Sequence, residues 1–358
     1  MLKKIRVLVV DDSIFFRQLL INDLQKQANI ELVGYATSAF DARSKIPALR
    51  PDVITMDVEM PGLSGIDFLK ELLPKYPIPV ILVSSLNLSV FDALAAGAVD
   101  FVQKPDMSKD YSISSFFSVL RSKIYIASRA KVNANHGQPT NPGASASPSS
   151  PGATTGAAVS SNISMNLQNS MVIAIGASTG GTEATLDVLK RLPADMPGIV
   201  VTQHMPQGFT QMYAERLNRI CKLSVKEAAN GDRIKRGQVL IAPGALQMAV
   251  DKDLSGYYVT CKDGEKVNGH RPSVDVLFHS VAQKIGRNAI GIIMTGMGRD
   301  GANGLLEMRN AGAFTIGQDK ESCVVYGMPM VAQDIGAVCV QASCTNISNV
   351  LLSQLRKM

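Results

Sequence analysis

The chain has 358 residues, 46% of them apolar, which is enough for two packed domains. A formal charge of +6 comes without a basic stripe interleaved with aromatics, so nucleic-acid binding has little support. The five cysteines lack metal-ligand spacing and fall mostly in apolar runs, Met-Leu-Lys-Lys-Ile leads straight into a strand-like segment, and no apolar run could span a bilayer. The expectation is a soluble cytoplasmic protein with reduced core thiols, not embedded in a membrane.

The first 129 residues alternate strands and helices. Ile5 to Val10 is an apolar run ending in Asp11-Asp12-Ser13, and a helical pattern follows through Phe16, Leu19, Leu20 and Leu24. Further strands are predicted at Glu31 to Ala36, Asp52 to Met56, Val80 to Val83 and Asp100 to Val102. Such alternation implies a doubly wound parallel sheet, with its ligand beyond the carboxyl ends of the strands. Those ends carry Asp11, Asp12, Asp57, Ser84 and Lys104. Three convergent carboxylates suit a hard cation such as Mg²⁺, Ser84 can donate to a phosphoryl oxygen, and Lys104 can neutralise one. Any one of these residues is ordinarily a cap or a solvated loop end; all five at strand ends argue for a site.

These residues resemble the receiver domain of two-component response regulators, over Lys4 to about Ala127, through VLVVDDS, TMDVEMPGLSG, VSSL and FVQKP. The resemblance implies that Asp57 accepts a phosphoryl group. It also implies that Asp12, Asp57 and the main-chain carbonyl of Glu59 hold Mg²⁺ with Asp11 in support. Ser84 and Lys104 would contact the phosphoryl group, Phe101 would be the switch aromatic, and Lys104-Pro105 would be a cis peptide.

From 130 to 170 the composition turns to Asn, Gly, Pro, Ser, Thr and Ala through HGQPTNPGASASPSSPGATTGAA, a flexible tether by its chemistry, with His136 solvated inside it. The second half opens on MVIAIGASTGGTEA, where an apolar strand breaks at Gly176 and Ser178 stands between glycines. That is the strand-to-helix context of a nucleophile elbow. A dinucleotide loop needs another glycine where Ala177-Ser178 stand, and a P-loop needs a terminal Gly-Lys-Ser/Thr. A plain tight connection stays open.

Further strands are predicted at Ile199 to Thr202, Val239 to Ala242, Ala289 to Met294, Phe314 to Ile316 and Ala337 to Val340, with a hairpin-style insertion over Met248 to Val250 and Tyr257 to Cys261. Pro272 is placed at the start of a helix. Ser178, His204 and Asp300 each follow a strand, so one crevice could gather them as nucleophile, base and orienting carboxylate. His270 is a rival histidine that could shape a substrate groove, His279 reads as a helix residue, and Asp300 could also be an N-cap.

GASTGG, TQHMP, IAPG, GHRPSVDVLF and TGMGRDGA, over nearly all of 171 to 355, resemble the catalytic domain of the chemotaxis response regulator that is a protein-glutamate methylesterase. The resemblance gives three parts: receiver 1–129, linker 130–170 and methylesterase 171–358. It implies a Ser178, His204 and Asp300 triad with no cofactor for the ester chemistry; backbone amides near Thr179 and Met297 are the candidates for an oxyanion hole. The implied substrates are glutamyl methyl esters, and some glutamines, on methyl-accepting chemoreceptors; the implied phosphodonor is a chemotaxis histidine kinase, whose action uncovers the crevice. Arg299 departs from the small polar residue expected there. A phosphorylation-controlled binding module that keeps the esterase fold, and an esterase of another receptor pathway, are the competing readings. A DNA-binding output and a nucleotide-dependent oxidoreductase lack their motifs.

Overall fold

A computed structural model describes residues 3–85, 89–108, 110–132 and 171–358. The N-terminal half runs β1 (Ile5–Val10), α1 (Ile14–Leu24), β2 (Ile30–Ala36), α2 (Ala39–Leu49), β3 (Val53–Met56), α3 (Gly65–Leu72), β4 (Val80–Ser84), α4 (Ser89–Ala95), β5 (Asp100–Gln103) and α5 (Asp110–Ala127). Its five strands are all parallel in the order β2-β1-β3-β4-β5. The order reverses between β1 and β3, which opens a crevice at their carboxyl ends, where Asp11, Asp12 and Asp57 stand.

The C-terminal half begins with β6 (Val172–Ala177), α6 (Gly181–Leu189), β7 (Gly198–Gln203), α7 (Phe209–Ile220), β8 (Ser224–Glu227) and β9 (Gln238–Ile241). A hairpin of β10 (Gln247–Asp253) and β11 (Gly256–Lys262) follows, then α8 (Val274–Lys284), β12 (Ala289–Ile293), α9 (Ala302–Asn310), β13 (Phe314–Gln318), α10 (Met328–Asp334), β14 (Val340–Ala342) and α11 (Ile347–Leu355). Seven parallel strands lie in the order β14-β13-β12-β6-β7-β9-β8. Strands β6, β7 and β12 are buried along their whole length, as expected of central parallel strands covered on both faces. This sheet reverses direction between β6 and β12, so the ends of those strands frame its crevice.

Several expectations are corrected. Strand β8 escaped the sequence because only Val225 of Ser-Val-Lys-Glu is buried, which leaves no apolar run to read. The last strand lies at 340–342 instead of 337–340, because Ala337 and Val338 turn inward ahead of it as core residues. Ser273 occupies the cap position of α8, so Pro272 lies outside that helix. Lys104-Pro105 is trans; the cis bond among the described residues is Arg271-Pro272. An X-Pro bond favours trans by about 0.5–1 kcal/mol, and Lys104 reaches Asp57 without the cis form.

The two halves pack together. The Phe101 ring lies 4.5 Å from that of Phe209, and Phe91 stacks on Tyr213 at 5.8 Å. Such aromatic pairs contribute about 0.5–1.5 kcal/mol each beyond the area they bury. Of the predicted tether, 133–170 lies outside the described residues. Its first residues follow the C-terminal half, with the Lys131 amide donating to the Val324 carbonyl at 2.9 Å.

Candidate active site

Three strand ends meet beside α6. Ser178 follows β6, and its amide donates to the Thr295 carbonyl at 3.0 Å, which ties the turn to the loop after β12. Gly180 caps α6 at φ 77°, and a Cβ there would stand 2.6 Å from the Val324 Cβ, so both backbone and space require glycine. The buried Gln203 side chain donates to the Ser178 carbonyl at 2.8 Å and fixes the turn from the next strand.

His204 follows β7. Its Nδ1 lies 3.0 Å from Ser178 Oγ, and its Nε2 lies 2.7 Å from Asp300 Oδ2. With the carboxylate accepting from Nε2–H, the network assigns a free lone pair to Nδ1, facing the serine hydroxyl. The ring is turned the opposite way from the serine-protease arrangement, in which Nε2 faces the serine.

Asp300 is buried, and the structure answers the question of its capping role. The helix after it, α9, has Gly301 at its cap; Asp300 instead caps α8 from across the crevice. Its carboxylate accepts from the Val274 amide at 2.7 Å, the Ser273 hydroxyl at 2.7 Å and the Asn268 amide group at 2.8 Å. Burial alone would raise its pKa, but hydrogen bonds from His204, Asn268 and Ser273 outweigh that and hold it well below the usual carboxylate range. The positive end of α8 adds to the same preference. Asp300 therefore stays ionised against the imidazole.

His270 stacks flat on His204, with ring centroids 3.7 Å apart and planes 9° apart. Burial first, and then the neighbouring His204, push its pKa down to about 4. A folded-state pKa below the ordinary His value means that the unfolded chain takes up the proton first. Stability is therefore lost as pH falls from about 6.5 towards 4, by about 2 kcal/mol at pH 5. His270→Gln is expected to remove that slope, read as a smaller difference between urea unfolding at pH 7 and at pH 5.

Amides that could receive an oxyanion lie next to the serine. Among the described residues the Thr179 and Met297 amides have no acceptor. Gly296 packs against the nucleophile: a Cβ there would lie 2.6 Å from the Ser178 Cβ and 2.4 Å from the Met328 sulfur. Gly296→Ala is expected to lower kcat about a hundredfold, since a displacement near 1 Å costs about that much. The thermal midpoint should move by only a few degrees. A large fall in midpoint with kcat preserved would place the effect in the core instead.

The N-terminal crevice gathers the other predicted residues. Oxygen atoms of Asp11, Asp12 and Asp57 lie within 4.8 Å of one another, with Asp11 and Asp57 buried. Lys104 Nζ lies 2.5 Å from Asp57 and 3.3 Å from Asp11. Burial raises the pKa of Asp11 despite Lys104; burial alone would lower that of Lys104, but Asp57 and Asp11 hold it raised. Ser84 is buried with no partner for its hydroxyl among the described residues, and the Glu59 amide donates to Asp57 at 3.1 Å. Three convergent carboxylates beside a buried hydroxyl and an ammonium fit a divalent cation with a phosphoryl group.

Asp100 was not predicted as a site residue, having no motif to mark it. Its carboxylate accepts from Thr179 Oγ1 at 2.6 Å and from Lys123 at 2.5 Å. A receiver-side charge thus reaches the residue after the nucleophile.

Residues 173–351 match the domain family described as CheB methylesterase, and residues 7–111 match the response regulator receiver domain. The chain belongs to the CheB methylesterase family. It is 51% identical over 357 residues to a protein-glutamate methylesterase/protein-glutamine glutaminase 2 of Syntrophomonas wolfei, covering 100% of this chain and 99% of that one. It is 42% identical over 358 residues to the corresponding Salmonella typhimurium protein, covering 99% and 98%. The crystal structure of the Thermotoga maritima CheB methylesterase catalytic domain superposes with a TM-score of 0.51 at 35% identity, over 51% of this chain and 98% of that one. The chain is thus an enzyme of the protein-glutamate methylesterase/protein-glutamine glutaminase kind, with a receiver domain and two parallel α/β sheets. No helix among the described residues is long and apolar enough to cross a membrane.

Proposed function

We propose that this CheB-family enzyme hydrolyses γ-glutamyl methyl esters on methyl-accepting chemoreceptors, deamidates some of their glutamines, and is released for that work by phosphorylation of Asp57. The observation that carries the reading is the hydrogen-bonded line from Ser178 Oγ through His204 to Asp300 at three strand ends.

In the reaction, His204 Nδ1 takes the Ser178 proton as Oγ attacks the ester carbonyl. The amides of Thr179 and Met297 receive the oxyanion, where losing one donor costs about 10²–10³ in rate. The tetrahedral intermediate collapses as His204 returns the proton to the departing methanol. Water, deprotonated by His204, then frees the glutamate from Ser178. A glutamine follows the same course with ammonia leaving. No cofactor is needed for these steps. The reaction places the chain in the cytoplasm, facing the receptors' inner ends.

The division we propose is receiver 1–129, tether 130–170 and catalytic domain 171–358, with a chemotaxis histidine kinase as phosphodonor. Asp12, Asp57 and the Glu59 carbonyl would hold Mg²⁺ with Asp11 in support, and the cation supplies charge neutralisation for the incoming phosphoryl group. Ser84 and Lys104 would bind that group, and Phe101 would couple its arrival to the domain contact. Support for a receiver-held closed state comes from the Phe101–Phe209 contact and from Asp100 on Thr179, which sets a negative charge beside the developing oxyanion. Reorganising Ser84 and Phe101 would weaken both.

The test is peptide mass spectrometry of methylated receptor membranes before and after incubation with enzyme, Mg²⁺ and a small phosphodonor. Conversion of glutamyl esters, and of selected glutamines, to glutamate is expected. Unchanged receptor with an intact phosphorylated receiver would turn the reading to the binding module.

A further inference from the structure

A cavity of about 590 Å³ opens beside the loop that follows β12. Its apolar side is made by Met297, Val324, Tyr326 and Met330, and its polar side by Arg129, Lys131, Arg299 and Lys320. No carboxylate lines it among the described residues. Elsewhere the surface cations are commonly paired, as Arg121 is with Asp23, Arg233 with Asp253 and Lys284 with Asp251. The four lining the cavity have no acidic partner among the described residues; Arg299 reaches only Asn303, at 3.4 Å, and Lys131 only the Lys320 carbonyl, at 3.0 Å.

Like charges gathered without counter-ions raise the local potential, and an apolar wall beside them selects an amphipathic anion over a free one. The cavity adjoins the reaction site at Met297, which lines it and whose neighbour Gly296 packs on Ser178.

We infer that Arg299 and Lys320, which stay on the catalytic domain when the receiver is released, form a specificity groove that binds acidic side chains flanking the esterified glutamate on the receptor; in the closed chain Arg129 of the receiver and Lys131 of the tether line the same cavity. This rests on the receptor-esterase reading above and extends it. Each turnover converts a neutral ester into a carboxylate, so a receptor segment with several such glutamates becomes a better ligand for the groove as it is hydrolysed. The groove therefore favours successive hydrolysis along one segment.

The test uses the full chain with Mg²⁺ and phosphodonor and measures methanol release from methylated receptor membranes across a range of ionic strength. For the double variant Arg299→Glu and Lys320→Glu, KM is expected to rise about tenfold, with the loss in KM exceeding that in kcat. The wild-type KM should rise with salt, and that of the double variant should be flat. Arg299→Lys, which keeps the charge, should stay near wild type. A fluorescent poly-glutamate peptide should bind wild type and fail to bind the double variant, which judges the groove even if receptors prove not to be the substrate. Equal KM and salt dependence in the two proteins, or Arg299→Lys as impaired as Arg299→Glu, would overturn the proposal. So would displacement of the peptide by inorganic phosphate or anionic vesicles as readily as by acidic peptide, since that would be unselective anion binding.

Discussion

Asp300→Asn is expected to slow ester hydrolysis about ten-thousandfold while leaving the fold in place. The carboxylate receives Nε2–H of His204 at 2.7 Å and so keeps the Nδ1 lone pair on the serine. An amide can turn its NH₂ to the ring and favour the wrong tautomer, which in a serine protease costs about 10⁴ in kcat. The same substitution weakens the cap that Asp300 places on α8, at about 1 kcal/mol. The depressed pKa fixes the sign of the pH effect. Asp300 contributes stability above its unfolded value near 4, and that contribution is lost as pH falls further, through the folded value. Acid unfolding of Asp300→Asn should therefore be less steep below about pH 4 than that of wild type. A variant within tenfold of wild-type kcat would remove Asp300 from the chemistry and leave it a cap.

Removing residues 1–130 is expected to raise the rate of the unphosphorylated enzyme at least about tenfold. The deletion takes away the Phe101–Phe209 and Phe91–Tyr213 ring pairs and the Thr179–Asp100 hydrogen bond. A charged hydrogen bond adds about 1.5–3 kcal/mol, and each 1.4 kcal/mol of docking free energy holds back a tenfold change in open population. Asp57→Asn in the full chain should fix the rate at its unphosphorylated level whatever the phosphodonor. Equal rates for the full and shortened chains would contradict receiver control.

Much of this was legible in the sequence because both sheets are parallel. Buried strands such as Val-Ile-Ala-Ile-Gly-Ala read as apolar runs, and the chemistry stands at their carboxyl ends, so Asp57 and Ser178 could be placed without a structure. Edge strand β8 has no such run. Asn268 and Ser273 support Asp300 from a loop and a cap 32 and 27 residues away, a relation that no spacing encodes. Asp100 reads in the sequence as the first residue of a strand; its role appears only when the halves are docked and its carboxylate meets Thr179. The reversed ring of His204 and the flat stack of His270 on it depend on side-chain geometry alone.

The most direct measurement is methanol release from methylated receptor membranes, comparing wild type and Ser178→Ala, each with and without Mg²⁺ and a small phosphodonor. The account predicts release from wild type that rises with phosphodonor, and a loss of about 10⁴–10⁶ in Ser178→Ala under both conditions. Release by Ser178→Ala at a rate near that of wild type would contradict it.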